Sequence, residues 1–211
     1  MKKPLSLLLA SLLFATVSLA SPADSVSAET NDLTIWGVGF QGGASASWSS
    51  TSVYAAEGAT RPGYQFNAYA RVFFPIYFET QLGWYQTFGD FAISGQRDKL
   101  VVNSLQWSLL GGYYFLDLDQ VNFRLYSGMT FNFVMGAKWK NGVAGTPDIS
   151  KDDFNPMNVA WKIGAGANVG RFSIDLFVDV GMSKVYKATP SLPNNTRNNA
   201  VGFNFGFFFL K

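Results

Sequence analysis

Taken two residues at a time, the stretch 198–211 separates into two faces. Val201, Phe203, Phe205, Phe207 and Phe209 fall on one, and Gly202, Asn204 and Gly206 on the other. Alternation with period two marks a β-strand. A soluble protein turns its bulky face to the core and its polar face to water. Here one face is almost wholly aromatic and the other is small and polar, which suits a strand with lipid outside and a crowded interior. A soluble sandwich strand with an apolar inner face is the alternative for this segment taken alone.

Seven earlier segments repeat the pattern: 33–43, 64–74, 76–87, 101–115, 121–135, 158–169 and 172–186. The second, for example, sends Tyr64, Phe66, Ala68, Ala70 and Val72 outward and Gln65, Asn67, Tyr69 and Arg71 inward. The third sets Phe78, Thr80, Leu82 and Trp84 against Tyr77, Glu79, Gln81 and Tyr85. The connections alternate too. Long polar stretches at 44–63, 88–98, 136–155 and 187–198 alternate with short turns around Pro75, at 116–120 and at Gly170-Arg171. An even number of strands, short turns at one end and long loops at the other predict an all-β fold: an eight-stranded antiparallel up-and-down transmembrane β-barrel over residues 32–211. Short turns are expected to be periplasmic, with both termini, and long loops external.

Charge placement sharpens this picture. The assigned outward faces carry no charge except Lys184 near the end of the seventh segment, where a lysine can reach the head groups. The inward faces carry Arg71, Glu79, Arg124, Lys162, Asp175 and Asp179, three of each sign. A hairpin centred on Pro75 sets Arg71 opposite Glu79, and a two-residue turn at Gly170-Arg171 sets Lys162 opposite Asp179. Buried ions must be paired, so the six read as a balanced network filling the lumen. A charged constriction selecting ions is the sharper alternative. The inward glycines 37, 39, 112, 164, 166, 181, 202 and 206 are expected to make room for the long cations, or to mark bulges.

Composition narrows the chemistry. Met-Lys-Lys, an apolar run and the exit Ser18-Leu19-Ala20 make residues 1–20 a secretory signal, and polar residues 21–31 a flexible lead-in. Without the two signal lysines, acidic and basic residues balance at 14 each, which argues against nucleic acid as a partner. Charged residues make up only 14% of the chain and aromatics 17%, more rings than a soluble core of this size absorbs. With no cysteine and no histidine, thiol nucleophiles, thiolate metal sites and imidazole bases are excluded. No catalytic residue, cofactor or resident metal is expected. Asp175 and Asp179, four apart on one face, can hold a cation but read first as ion-pair partners, and Asp152-Asp153 is a weak calcium candidate. Asn194-Asn195-Thr196 matches a glycosylation sequon of little meaning in a bacterial chain. Trp48, Tyr54, Phe91, Trp139 and Phe154 fall in the predicted loops or at their edges, where they either fold back on the barrel rim or contact a protein partner.

Several motifs together resemble the PorT-like outer-membrane β-barrel proteins of the Bacteroidota, barrels of the OmpA type. They are Trp36-Gly37-Val38-Gly39-Phe40, the run from Val72-Phe73-Phe74-Pro75 through Leu82-Gly83-Trp84, and Leu109-Leu110-Gly111-Gly112-Tyr113-Tyr114-Phe115. Gly164-Ala165-Gly166-Ala167-Asn168-Val169 and the terminal Gly-Phe-Asn-Phe-Gly-Phe repeat complete the set. Gly202, Phe203, Phe205, Phe207 and Phe209 form a candidate insertion signal, although the chain ends on Leu210-Lys211 rather than on an aromatic. The resemblance implies a non-enzymatic barrel that anchors or assists an outer-membrane secretion or envelope complex, amid outer-membrane lipid and lipopolysaccharide. A narrow channel or hydrophobic-ligand conduit is the second reading. A soluble lipocalin-like binder is the third, and it requires a bulky apolar interior where this chain has Gly, Asn and charges.

Overall fold

The computed structural model describes residues 35–50, 61–72, 76–93, 96–118, 121–140, 151–187 and 197–210. Residues 1–34, including the expected signal and lead-in, Tyr54, Pro75 and the Asn194-Asn195-Thr196 sequon lie outside them. Eight strands follow in order: β1 (Ile35–Ser50), β2 (Arg61–Val72), β3 (Ile76–Ile93), β4 (Gln96–Leu118), β5 (Val121–Trp139), β6 (Met157–Val169), β7 (Phe172–Gly181) and β8 (Arg197–Leu210). Each pairs antiparallel with the next, and β8 pairs with β1 to close the barrel. Closure leaves no unpaired sheet edge, the condition for backbone amides to sit in hydrocarbon.

The register carries the stagger of the barrel. A line of paired residues runs from Gly37 through Arg71, Glu79, Leu110, Gly128, Lys162, Asp179 and Ala200 and returns to β1 at Ser47, ten residues further along. Such stagger in an eight-stranded barrel goes with strands tilted by about 35–45° and an interior wide enough only for side chains.

The outer surface is apolar. Leu176 is 64% exposed, Phe78 61% and Phe205 52%. Rings cluster toward the short-turn end, with Phe40 at 5.4 Å from Phe209 and Phe172 at 5.4 Å from Phe207 between centroids. Soluble proteins do not expose a continuous band of this kind, and lipid covers it. The outward polar Thr80 is satisfied within the band, its hydroxyl accepting from Trp107 Nε1 at 3.1 Å. Where side chains are described, the strands' outward charges, Asp117, Lys138 and Arg197, sit toward strand ends.

Several strand limits differ from the sequence reading. β1 continues to Ser50, and β3 and β4 run through the expected loop 88–98 to leave only residues 94 and 95 between them. β5 continues to Trp139. These extensions lose the greasy outward stripe, so the hydrophobic signature stops while the backbone ladder goes on. Conversely, β7 ends at Gly181, not at 186. The hydroxyl of Ser183 accepts from Val159 N at 2.7 Å, and the amides of Met182 and Ser183 both donate to Val159 O at 2.9 and 3.2 Å, which breaks the ladder. Lys184 therefore lies beyond the strand, exposed.

At mid-strand, Leu176→Arg is expected to cost about 2–4 kcal/mol, whereas Met182→Arg just past the loop end of β7 costs about 0–1 kcal/mol. Reversible urea unfolding in phospholipid vesicles, followed by tryptophan fluorescence, checks both; equal costs at the two positions contradict a lipid-facing band.

Candidate functional site: the filled lumen

The strand pleat sends alternate residues inward, so the lumen is built from one side chain in two along every strand. All six inward charges are buried, Arg71, Arg124 and Lys162 to 1% exposure or less. Arg71 and Glu79 are direct cross-strand neighbours, as are Lys162 and Asp179. Arg71 Nε and Nη2 meet Glu79 Oε2 at 2.7 and 2.5 Å, and Gln81 Nε2 donates to Glu79 Oε1 at 2.6 Å. Arg124 reaches Glu79 Oε2 at 3.4 Å and grips Asp175 with Nη2, at 2.6 and 2.7 Å to its two oxygens. The chain Arg71, Glu79, Arg124, Asp175 thus spans the lumen from β2 and β3 through β5 to β7. Lys162 is held more loosely, with Nζ 3.8 Å from Asp179 Oδ2.

The inward glycines do something other than the sequence suggested. Only Gly166 serves a cation directly: it lies between Arg124 and Asp175 in the register, and a Cβ there overlaps the Asp175 carboxylate. Gly181 lies against the Asn198 backbone and Gly206 against the Ser173 hydroxyl, and the remaining five accommodate rings. Gly39 is paired with Tyr69, Gly112 with Tyr77, Gly164 with Tyr126 and Gly202 with Phe177, and in each case a Cβ on the glycine would enter the facing ring. Gly37 stands in the same relation to Phe208.

The rings laid across these glycines carry the cations. Arg71 lies 5.0 Å from the centroids of Tyr77 and Phe208 and 5.7 Å from that of Tyr69. Arg124 sits 5.6 and 5.2 Å from Tyr77 and Tyr126, and Lys162 Nζ sits 4.5 Å from Phe177. Cation–π contacts of this kind strengthen when desolvated. Tyrosine hydroxyls finish the network: Arg124 Nη1 donates to Tyr77 at 2.9 Å, and Tyr114 accepts from Arg71 and Asn168, both at 3.0 Å.

Phe208, Phe177 and Tyr114 escaped the sequence reading. The first two are bulky apolar residues at inward positions, exceptions to the small, polar interior, and that exception was the available signal. Phe208 is fully buried and packs edge-on against Tyr69 at 5.0 Å, so the inner face of β8 is not uniformly small. Of the candidate insertion signal, Gly202 packs under Phe177 while Phe203, Phe205, Phe207 and Phe209 point outward.

Toward the loop end the filling is looser. A cavity of about 60 Å³ lies there, with Asp179 among its lining residues. Above it Phe154, 1% exposed, bridges to Tyr186 and packs with Leu100, Trp139 and Val185. Phe154 is therefore rim packing and not a surface offered to a partner; Trp139 is half-buried beside it. Trp48 is exposed on β1, and the side chain of Phe91 lies outside the described residues. Asp152 and Asp153 close a 3-10 turn, and among the described residues no three carboxylate, His or Cys groups gather to hold a metal.

A family model for the outer membrane protein beta-barrel domain matches residues 27–187. The chain belongs to that family. This outer-membrane barrel matches no curated protein. Among solved structures it is similar to Neisserial surface protein A, at 15% identity over 82% of this chain and 97% of that one, with a TM-score of 0.50. It is also similar to the attachment invasion locus protein Ail of Yersinia pestis (15%, 83% and 100%, TM-score 0.49) and to OprG of Pseudomonas aeruginosa (12%, 82% and 97%, TM-score 0.43). The first of these likenesses is one of fold.

Glu79 serves two guanidinium groups, so Glu79→Gln leaves Arg71 buried without an anion and is expected to destabilise the barrel by about 3–5 kcal/mol. Arg71→Met combined with Glu79→Gln recovers most of that loss. Urea midpoints of the single and double variants check it; a double variant no more stable than Glu79→Gln rules out the shared-anion arrangement.

Proposed function

We propose that this barrel is a non-enzymatic anchor or accessory of an outer-membrane assembly, a secretion or envelope complex, with its short turns and termini periplasmic and its long loops external. The observation that carries the reading is the strut from Arg71 through Glu79 and Arg124 to Asp175, packed about by Tyr77, Tyr126 and Phe208, which fills the lumen from wall to wall. A barrel blocked in this way has its surfaces and loops to work with, not its bore. The resemblance of the Gly- and aromatic-rich motifs to PorT-like proteins of the Bacteroidota supports an accessory role, and residues 1–20 read as the export signal such a protein needs. Outer-membrane lipid and lipopolysaccharide surround the apolar band, and a protein partner engages the loop end or the turn end.

The cavity toward the loop end favours a second reading, a narrow channel or hydrophobic-ligand conduit that opens when the filling rearranges.

Purification from native membranes in mild detergent separates the two, together with planar-bilayer recording of the product. The anchor reading predicts stoichiometric companion proteins and no reproducible open steps. A chain that always comes alone and conducts in defined steps overturns it.

A further inference from the structure

The cavity at the loop end has chemistry that the charge network leaves unused. Its lining includes the hydroxyls of Tyr85, Ser104 and Thr87, the amide of Asn158 and one carboxyl group, that of Asp179. Two buried acceptors in that lining, Asp179 Oδ1 and Asn158 Oδ1, have no hydrogen-bond donor among the described residues. Leaving a buried carboxylate oxygen without a donor is costly, so an occupant able to satisfy it brings N–H groups or positive charge.

Lys162 answers only half of this demand. Its ammonium faces the other oxygen, Oδ2, at 3.8 Å, lies 4.5 Å from the Phe177 centroid, makes no hydrogen bond among the described residues, and is not part of the cavity wall. Among the described residues the wall therefore presents a carboxylate oxygen and neutral oxygen groups but no cation.

From this geometry we propose that the cavity binds one small monovalent cation, an alkali-metal ion or a primary ammonium group, at Asp179 Oδ1. The size of the space, about 60 Å³, admits such an ion with a few waters and excludes larger organic cations. A divalent ion is a poor match, because calcium asks for six to eight oxygens with more carboxylate charge than one residue already paired with Lys162 supplies. Val102, Val134 and Val185 form an apolar wall around part of the same space, which lowers the local dielectric and strengthens the attraction of the carboxylate. On the turn side the strut of Arg71, Glu79, Arg124 and Asp175 sets two cations and two further carboxylates below the site, so an ion that enters from the loop end stops there. The site is a blind pocket and is independent of which partner the barrel serves.

Full-length protein in lipid nanodiscs is titrated with potassium chloride, methylammonium chloride and choline chloride at constant ionic strength, reading the amide shifts of Ala160, Asp179 and Gly181 and the Asp179 carboxyl carbon by NMR. Saturable shifts are expected with potassium, methylammonium or both, the stronger of the two naming the natural class, and none with choline. Ala160→Leu, which fills the cavity without touching the charges, and Asp179→Asn, which keeps the shape, are each expected to weaken the midpoint by at least about tenfold while the heat-modifiable band on gels stays as in the parent. Shifts that choline reproduces, the absence of saturation with either small ion, or midpoints unchanged in a folded variant of either kind overturn the proposal and leave water as the occupant.

Discussion

A closed eight-stranded barrel has room inside for side chains and little else, and here three cations must share that room with their anions. What makes this possible is a steric complement between neighbouring strands: a ring on one strand lies over a glycine on the next. Tyr77 over Gly112, Tyr126 over Gly164, Tyr69 over Gly39 and Phe177 over Gly202 form flat surfaces within the wall. Arg71, Arg124 and Lys162 rest on those surfaces while their charged heads face Glu79, Asp175 and Asp179. Remove the glycines and the rings stand up into the lumen; remove the rings and the cations lose both packing and partners.

This interior explains why so little of the chain's aromatic content forms a conventional core. Rings on the odd-numbered positions of β8 face lipid, whereas Phe208, one residue on from Phe207, seals the lumen near the turn end. The same strand thus serves lipid and interior at once, and the two demands meet over a single step of the pleat. Filling is dense around Arg71 and Arg124 and looser around Asp179, so the barrel is asymmetric along its axis. That asymmetry makes a blind pocket at one end compatible with a blocked bore.

Much of this was legible before the structure. Arg71 with Glu79 and Lys162 with Asp179 were accessible because each pair straddles a short turn, and a short turn fixes its hairpin's register. Arg124 with Asp175 was not: these residues come from β5 and β7, and the pairing of both with Gly166 on β6 brings them together. Strand ends were missed wherever the ladder leaves the apolar band, as at Ser50, Ile93 and Trp139, since the outward stripe that marks a membrane strand ends there. The function of Gly112 was missed for a related reason. Its partner Tyr77 lies across the long β3–β4 hairpin, whose register no local turn residue announces.

The ring-over-glycine complement is tested most directly by a double-mutant cycle on Gly112 and Tyr77, with stability measured by urea unfolding in lipid vesicles. Gly112→Val alone drives a branched side chain into the tyrosine ring, and Tyr77→Ala alone empties the space beside Arg71 and Arg124. The account predicts strong coupling: the double variant is more stable than the sum of the two losses by about 1–3 kcal/mol, because the valine side chain occupies the space the ring vacated. Losses that simply add would show that the two residues do not depend on each other, and would contradict the account.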